Sequence, residues 1–245
     1  MTWLLDNPDE SLEYILADSG FDVWIANSRG TRWSLKHQSL DPTKPAYWDW
    51  SWEELVQYEL LSIVGFVHSQ TGQKMHFVGY FLVVADFLNK LCSKHGIACY
   101  DSMSLFTGKN CCLNSSTVDL FLKYELQPTS TKNMVHLAQT VRKGDLTKFD
   151  YGSPIANMVH YSQLQPPLYN MPNIPSNMPL FLSYGGQDAL SDVKDIQLLL
   201  DNLKFHDADK LTVQFVKDFA HADFIMGVNA KIIVYNPIIA FFNSQ

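Results

Sequence analysis

The sequence predicts an α/β fold with a mostly parallel sheet, and three observations carry that expectation. Short apolar runs at 75–80, 179–184 and 211–216 suit buried parallel strands, which read as continuous rather than alternating hydrophobic segments. Segments with helical spacing lie at 51–65 and 191–203. Loops after two of the strands carry side chains suited to acid–base chemistry, Asp188 and His221. With 245 residues, of which 47% are hydrophobic and 18% charged, there is enough apolar matter for a sizeable core, and one domain with an insertion is the natural size reading. The expected divisions are 1–80, 81–170 and 171–245.

Taken in chain order, Ser51-Trp-Glu-Glu54 forms a capping box, in which the serine covers a free helical N–H and Glu54 reaches back to the cap. Leu55, Tyr58, Leu61 and Gly65 follow at helical spacing, so this helix is expected to pack on the sheet. H-S-Q-T-G at 68–72 reads as the helix end and a turn. The next run, M-H-F-V-G-Y-F-L-V at 75–83, is a strand whose Gly79 opens a nucleophile elbow of the G-x-S-x-G type found in α/β-hydrolases. Phe81 then stands where the serine belongs and Val83 where the second glycine belongs, and no serine elsewhere fits the full pattern. Residues 81–170, rich in Leu, Phe, Met, Pro and Tyr, read as a lid remnant or a satellite hydrophobic cluster.

Further on, P-L-F-L-S-Y at 179–184 is a strand ending in Gly185-Gly-Gln-Asp188, which places Asp188 on a strand-end loop. Val193, Ile196, Leu199, Leu200 and Leu203 form one stripe of a helix. L-T-V-Q-F-V at 211–216 is a strand, and the loop after it carries His221. A carboxylate that accepts the Nδ1 proton of a histidine fixes its tautomer and stabilises the imidazolium formed when it takes a proton from a serine. The order of elbow, acid and base along the chain is the one α/β-hydrolases use. The apolar run 232–242 is broken by Asn236-Pro237 and reads as core helix rather than a membrane anchor.

A net charge of −7 without a basic cluster argues against nucleic acid or an anionic membrane as partner. No run is long enough to cross a membrane, and the start of the chain lacks signal-peptide character, so the chain as written is expected in the cytosol. Cys92 and Cys99 bracket a short loop and Cys111 and Cys112 are adjacent, so no C-x-x-C pair exists for zinc or redox work. His95 reads as a loop residue rather than a ligand, and no metal or cofactor is expected. Asn114-Ser-Ser116 is an N-glycosylation acceptor, relevant only in the secretory path.

The stretches F-D-V-W-I-A-N-S-R-G-T-R-W-S at 21–34, Y-W-D-W-S-W-E-E-L at 47–55, K-N-M-V-H-L-A-Q-T-V-R-K-G at 132–144, H-Y-S-Q-L-Q-P-P-L-Y at 160–169, Y-G-G-Q-D-A-L-S-D at 184–192 and H-A-D-F-I-M-G at 221–227 resemble the acid lipase family of gastric, lysosomal and plant lipases. F-T-G-K-N-C-C-L-N-S-S at 106–116 brings the plant members nearest. The resemblance implies an α/β-hydrolase fold, triacylglycerol or steryl ester hydrolysis, and secreted, lysosomal or vacuolar siting for intact members. It places Asp188 and His221 as acid and base of a triad. It also implies two gaps: a His-Gly loop that supplies part of the oxyanion hole would precede Met1, and the serine elbow, its helix, the next strand and the start of the lid would fall between Tyr80 and Phe81. In the strand order 1-2-4-3-5-6-7-8, residues 21–27, 75–80, 179–185 and 211–217 become the fourth, fifth, seventh and eighth strands. Each interior gap would leave unpaired N–H and C=O groups at about 1 to 3 kcal/mol apiece when buried. The strands then either close up into a smaller sheet or leave the chain marginal or dependent on a partner strand.

Two functions stay open. The chain is an incomplete form of an active lipase, or a pseudoenzyme that binds a lipid or acyl ester, or a partner protein, without turnover. A hydrolase that uses another nucleophile ranks last, because no elbow presents one.

Overall fold

The computed structural model describes residues 2–4, 6–80, 103–104, 106–124 and 127–245. Phe81, Val83, the lid-like run 81–92, Cys92, His95 and Cys99 lie outside the described residues. The fold is α/β. Strand β1 (Leu180–Gly185) and strand β2 (Leu211–Val216) pair in parallel, with Leu180 opposite Leu211 and Gly185 opposite Val216. The helix Val193–Asn202 connects them, capped by Asp192, whose side chain accepts the N–H groups of Lys194 and Asp195. Its expected stripe is largely inward: Ile196, Leu199 and Leu200 are half-buried and Leu203 is buried, while Val193 at the first turn is exposed.

Among the described residues the sheet consists of β1 and β2, which corrects the expectation for two other segments. Residues 21–27 and 75–80 carry no strand. Apolar, β-branched sequence favours extension, but a strand exists only when a neighbour completes its ladder of hydrogen bonds. The expected seventh and eighth strands are sequence neighbours in the sheet order, and they are the two that pair. Among the described residues the sheet is therefore a single pair rather than a run of gapped strands.

The chain divides into two compact units. The first comprises Met1–Val23, Val78–Leu126 and Met171–Gln245. Its core joins Leu12, Ile15 and Leu16, the inward face of the helix Leu12–Asp18, to Phe219, Phe224, Val234, Tyr235 and Ile238, with Phe181 of β1 and Val216 of β2 packed against them. Burial of each large apolar side chain contributes about 1.5 to 3 kcal/mol. A second cluster gathers Met103, Val118 and Phe121 around Ala222, Ile225 and Met226, the segment just past His221. The C-terminal run is the core helix expected from sequence. A π-helical stretch, Lys231–Tyr235, passes into the α-helix Asn236–Asn243, and this wider turn accommodates Pro237, which has no N–H to give. No helix among the described residues is long and apolar enough to cross a membrane.

The second unit comprises Trp24–Phe77 and Gln127–Asn170. Its capping box forms as expected: Ser51 N–H donates to Glu54 Oε2 at 2.7 Å while the Ser51 side chain accepts from the first helical turn. Helical structure then runs from 52 to 71 and stops at Gly72, whose φ of +66° is the left-handed conformation that favours glycine. This is the end-and-turn reading of 68–72. The face of the helix is a correction. Tyr58 and Leu61 are 56% and 64% exposed, and Val67 is the buried residue of its last eleven. Spacing specifies a stripe but not what covers it; the strand pair belongs to the first unit. The helix Thr131–Lys143 is capped by Ser130 and buries His136 against Trp52, ring centres 4.0 Å apart.

Candidate active site

Asp188 and His221 sit on the loops that follow β1 and β2, and the parallel pairing brings those loops side by side. His221 Nδ1 lies 2.9 Å from Asp188 Oδ2, and both side chains are buried, at 7% and 5% exposure. A carboxylate only accepts, so Nδ1 carries the proton and Nε2 is the basic nitrogen. Asp188 is held in turn by the backbone: its Oδ1 accepts the N–H groups of Leu190 at 2.8 Å and Ser191 at 2.9 Å. Acid, base and orienting donors thus lie within one short hydrogen-bonded chain.

The two glycines at the end of β1 allow this approach. A side chain at Gly185 would place its Cβ 2.2 Å from the Phe219 carbonyl oxygen, and one at Gly186 would sit 2.3 Å from that of Lys217. Without side chains there, Gly186 N–H reaches Val216 O at 3.0 Å and Gln187 N–H reaches Phe219 O at 2.9 Å, which ties the acid loop to the base loop.

A third segment, 107–113, clasps both loops; in the sequence the surrounding 106–116 stood out only for its resemblance to the plant lipases, not as part of the site. His221 N–H donates to Thr107 O at 3.0 Å, and Gly108 bridges Asp188 in antiparallel fashion. Gly108 has φ +93°, and a Cβ on it would meet Gln187 O at 1.9 Å, so only glycine fits. Farther along, Cys111 N–H and Cys112 N–H donate to the two carboxylate oxygens of Asp223 at 3.1 and 3.0 Å, and Ala220 N–H donates to the same group at 2.8 Å. Asp223 is fully buried. Burial raises its carboxyl above the usual range against the pull of those donors. The only local signal for this clasp is the adjacency of Cys111 to Cys112 and of Asp223 to His221; the pairing between them spans more than a hundred residues.

Gly79 itself lies on irregular, exposed chain, so the residues expected to open the elbow do not turn from a strand. Its neighbour Tyr80 is placed at the site instead. The Tyr80 ring lies over the His221 ring with centres 4.7 Å apart, and its hydroxyl donates to the His221 carbonyl at 2.8 Å. Burial, then the negative charge of Asp188, raise the Tyr80 hydroxyl well above its ordinary value, so it serves as a neutral donor rather than a phenolate.

The sulfurs of Cys111 and Cys112 and the Asp223 carboxylate converge within metal-binding range. The two sulfurs are, however, bonded to one another in a disulfide. With the carboxylate engaged by three N–H groups, the cluster in this state is not a metal site.

No family model matches the chain. Known relatives do, among them two plant lipases and a human one. Triacylglycerol lipase 2 of Arabidopsis thaliana is 46% identical, over all of this chain and 74% of its own length. Triacylglycerol lipase 1 of the same plant is 32% identical over 99% of this chain and 76% of its own, and human gastric triacylglycerol lipase 29% identical over 97% and 75%. The first of these matches extends over 308 positions and takes in all 245 residues here, so 308 less 245 leaves at least 63 positions of that relative without a counterpart inside the matched region.

Proposed function

From the premise that this chain belongs to the acid lipase family, we propose that it carries the acid and base of a triacylglycerol- or steryl-ester-hydrolysing triad without the serine. As these 245 residues stand, the chain does not turn an acyl ester over at an appreciable rate; the alternative is a pseudoenzyme that binds a lipid or a partner. The observation that carries this reading is the buried Asp188–His221 pair at 2.9 Å in a chain whose sequence runs from Gly79 through Tyr80 to Phe81 with no elbow serine. In a complete triad the serine hydroxyl would pass its proton to His221 Nε2 as it attacks the acyl carbon, and Asp188 would hold the imidazolium. Loss of the triad serine removes roughly 10^6-fold in kcat, and each missing oxyanion donor about a further 100-fold. Tyr80 over the imidazole supports the same reading, because it fills space beside the base.

A second reading, an incomplete product of an active lipase gene, is favoured by the surplus of at least 63 positions in the matched relative. The two readings part at the gene. An in-frame serine elbow in genomic sequence between codons 80 and 81 supports the incomplete form, and a contiguous exon there supports the pseudoenzyme. The test of the shared claim is hydrolysis of a short-chain chromogenic ester by the purified, folded chain beside His221→Ala. Equal, background rates are expected; a rate that His221→Ala abolishes overturns the reading.

A further inference from the structure

We propose that the Cys111–Cys112 pair is a thiol–disulfide exchange site whose oxidation state sets the hold on the His221 loop. The two cysteines are adjacent and bonded to each other. Cys111 is exposed to solvent and Cys112 half-buried. An entering thiolate therefore has access to the Cys111 sulfur, with Cys112 as the leaving group. A disulfide between neighbouring residues closes a small ring through one peptide unit and limits the backbone angles both residues can adopt. In this ring both N–H groups point to one buried acceptor, the Asp223 carboxylate, two residues beyond His221.

The exchange is of the ordinary kind. A thiolate of a dithiol reductant attacks Cys111 Sγ, the S–S bond breaks, and Cys112 Sγ departs as a thiolate that takes a proton. The second thiol of the reductant resolves the mixed disulfide and releases Cys111. Two electrons pass to the cysteine pair, and the reductant ends as its own disulfide. Once open, the ring no longer obliges both N–H groups to face Asp223, and the Ala220 N–H is the donor to that carboxylate that does not depend on the ring.

The consequences reach the site through contacts already described. Val228 N–H donates to Cys112 O at 2.9 Å, Leu113 bridges Gly227, and His221 N–H donates to Thr107 O at 3.0 Å. Residues 107–113 and 219–228 are therefore fastened along their whole length, and the disulfide restrains the middle of that seam. The reduced pair is also a vicinal dithiol, which phenylarsine oxide bridges with one As–S bond to each sulfur as its As=O bond breaks and the oxygen leaves as water with the two thiol protons.

The test is amide hydrogen exchange of the full chain, oxidised and after treatment with excess dithiothreitol, with alkylation and peptide mapping to report which cysteines have been reduced. Reduction of Cys111 and Cys112 in the folded chain is expected to speed exchange across 107–113 and 219–228 by about 10-fold or more, with 193–202 unchanged. Phenylarsine oxide added to the reduced chain is expected to restore protection. In Cys111→Ser/Cys112→Ser the seam should exchange fast and ignore dithiothreitol, which separates this pair from Cys92 and Cys99. Should that variant fail to fold, the wild-type arms decide alone. The proposal is overturned if the pair resists reduction while the chain stays folded, or if its reduction leaves exchange of the seam unchanged.

Discussion

The two compact units handle their carboxylates in opposite ways. In the first, acids are buried among apolar groups and backbone donors: burial raises Asp6, raises Glu13 to about 7, and raises Asp223. In the second, acids face lysines. Asp150, hydrogen-bonded to Lys143 at 2.6 Å, is lowered to about 2. Burial alone would raise Glu54, but the Ser51 N–H and Lys132 bring it below its ordinary value. The first unit thus fixes its acids by geometry, the second by charge. The Asp188–His221 pair belongs to the geometric kind, since loops, glycines and N–H groups hold it in place.

Substitutions at the geometric contacts should therefore exceed those at the ionic ones. Gly108→Ala meets both a left-handed backbone and the Gln187 carbonyl. It is expected to cost about 3 kcal/mol, or roughly 6 to 12 °C in Tm for a chain of this size, measured by a circular dichroism melt. A loss below about 1 kcal/mol would show that the clasp yields readily.

Glu13 comes next. Its folded value near 7 lies above the unfolded 4.5, so the folded chain holds the extra proton between those values. Stability from this group is complete below about pH 4.5 and is lost as pH rises through 7. Glu13→Gln should flatten that fall and be more stable than the parent at pH 8, by about 2 kcal/mol in urea melts. Asp150 has the opposite sign: its contribution is present above pH 3.8 and is lost as pH falls towards 2. Hydrogen exchange resolved by unit should show the first unit loosening on the alkaline side and the second on the acid side. A uniform response would dissolve the contrast.

The smallest effect is expected at Lys143→Met, which removes a partly exposed ion pair. A change of about 0.5 kcal/mol that fades in high salt fits an ionic contact of this kind. A salt-independent loss would mean that Lys143 acts through packing instead.

The split between the units also marks what the sequence reveals. The strands 180–185 and 211–216 and the loops with Asp188 and His221 were legible, because apolar runs and a Gly-Gly step are local signals. The capping box at Ser51 and the stop at Gly72 were legible for the same reason. Residues 75–80 read as a strand because propensity is local, and 21–27 because the family resemblance gave it a place in the sheet order, whereas a ladder depends on neighbours. The exposed face of the helix over Tyr58 and Leu61 escaped for a like reason, since periodicity carries no record of what lies opposite. The 107–113 clasp and Tyr80 over His221 depend on contacts between distant segments, and nothing in their own spacing announces them.

The central claim is that the acid–base pair stands intact where no serine is activated. Its most direct test is a fluorophosphonate probe, which forms a covalent bond with a serine activated by a histidine. The folded chain and its His221→Ala variant are expected to remain unlabelled alike, as read by intact-protein mass spectrometry. Stoichiometric labelling of the parent chain that disappears in His221→Ala would contradict the account and identify the nucleophile.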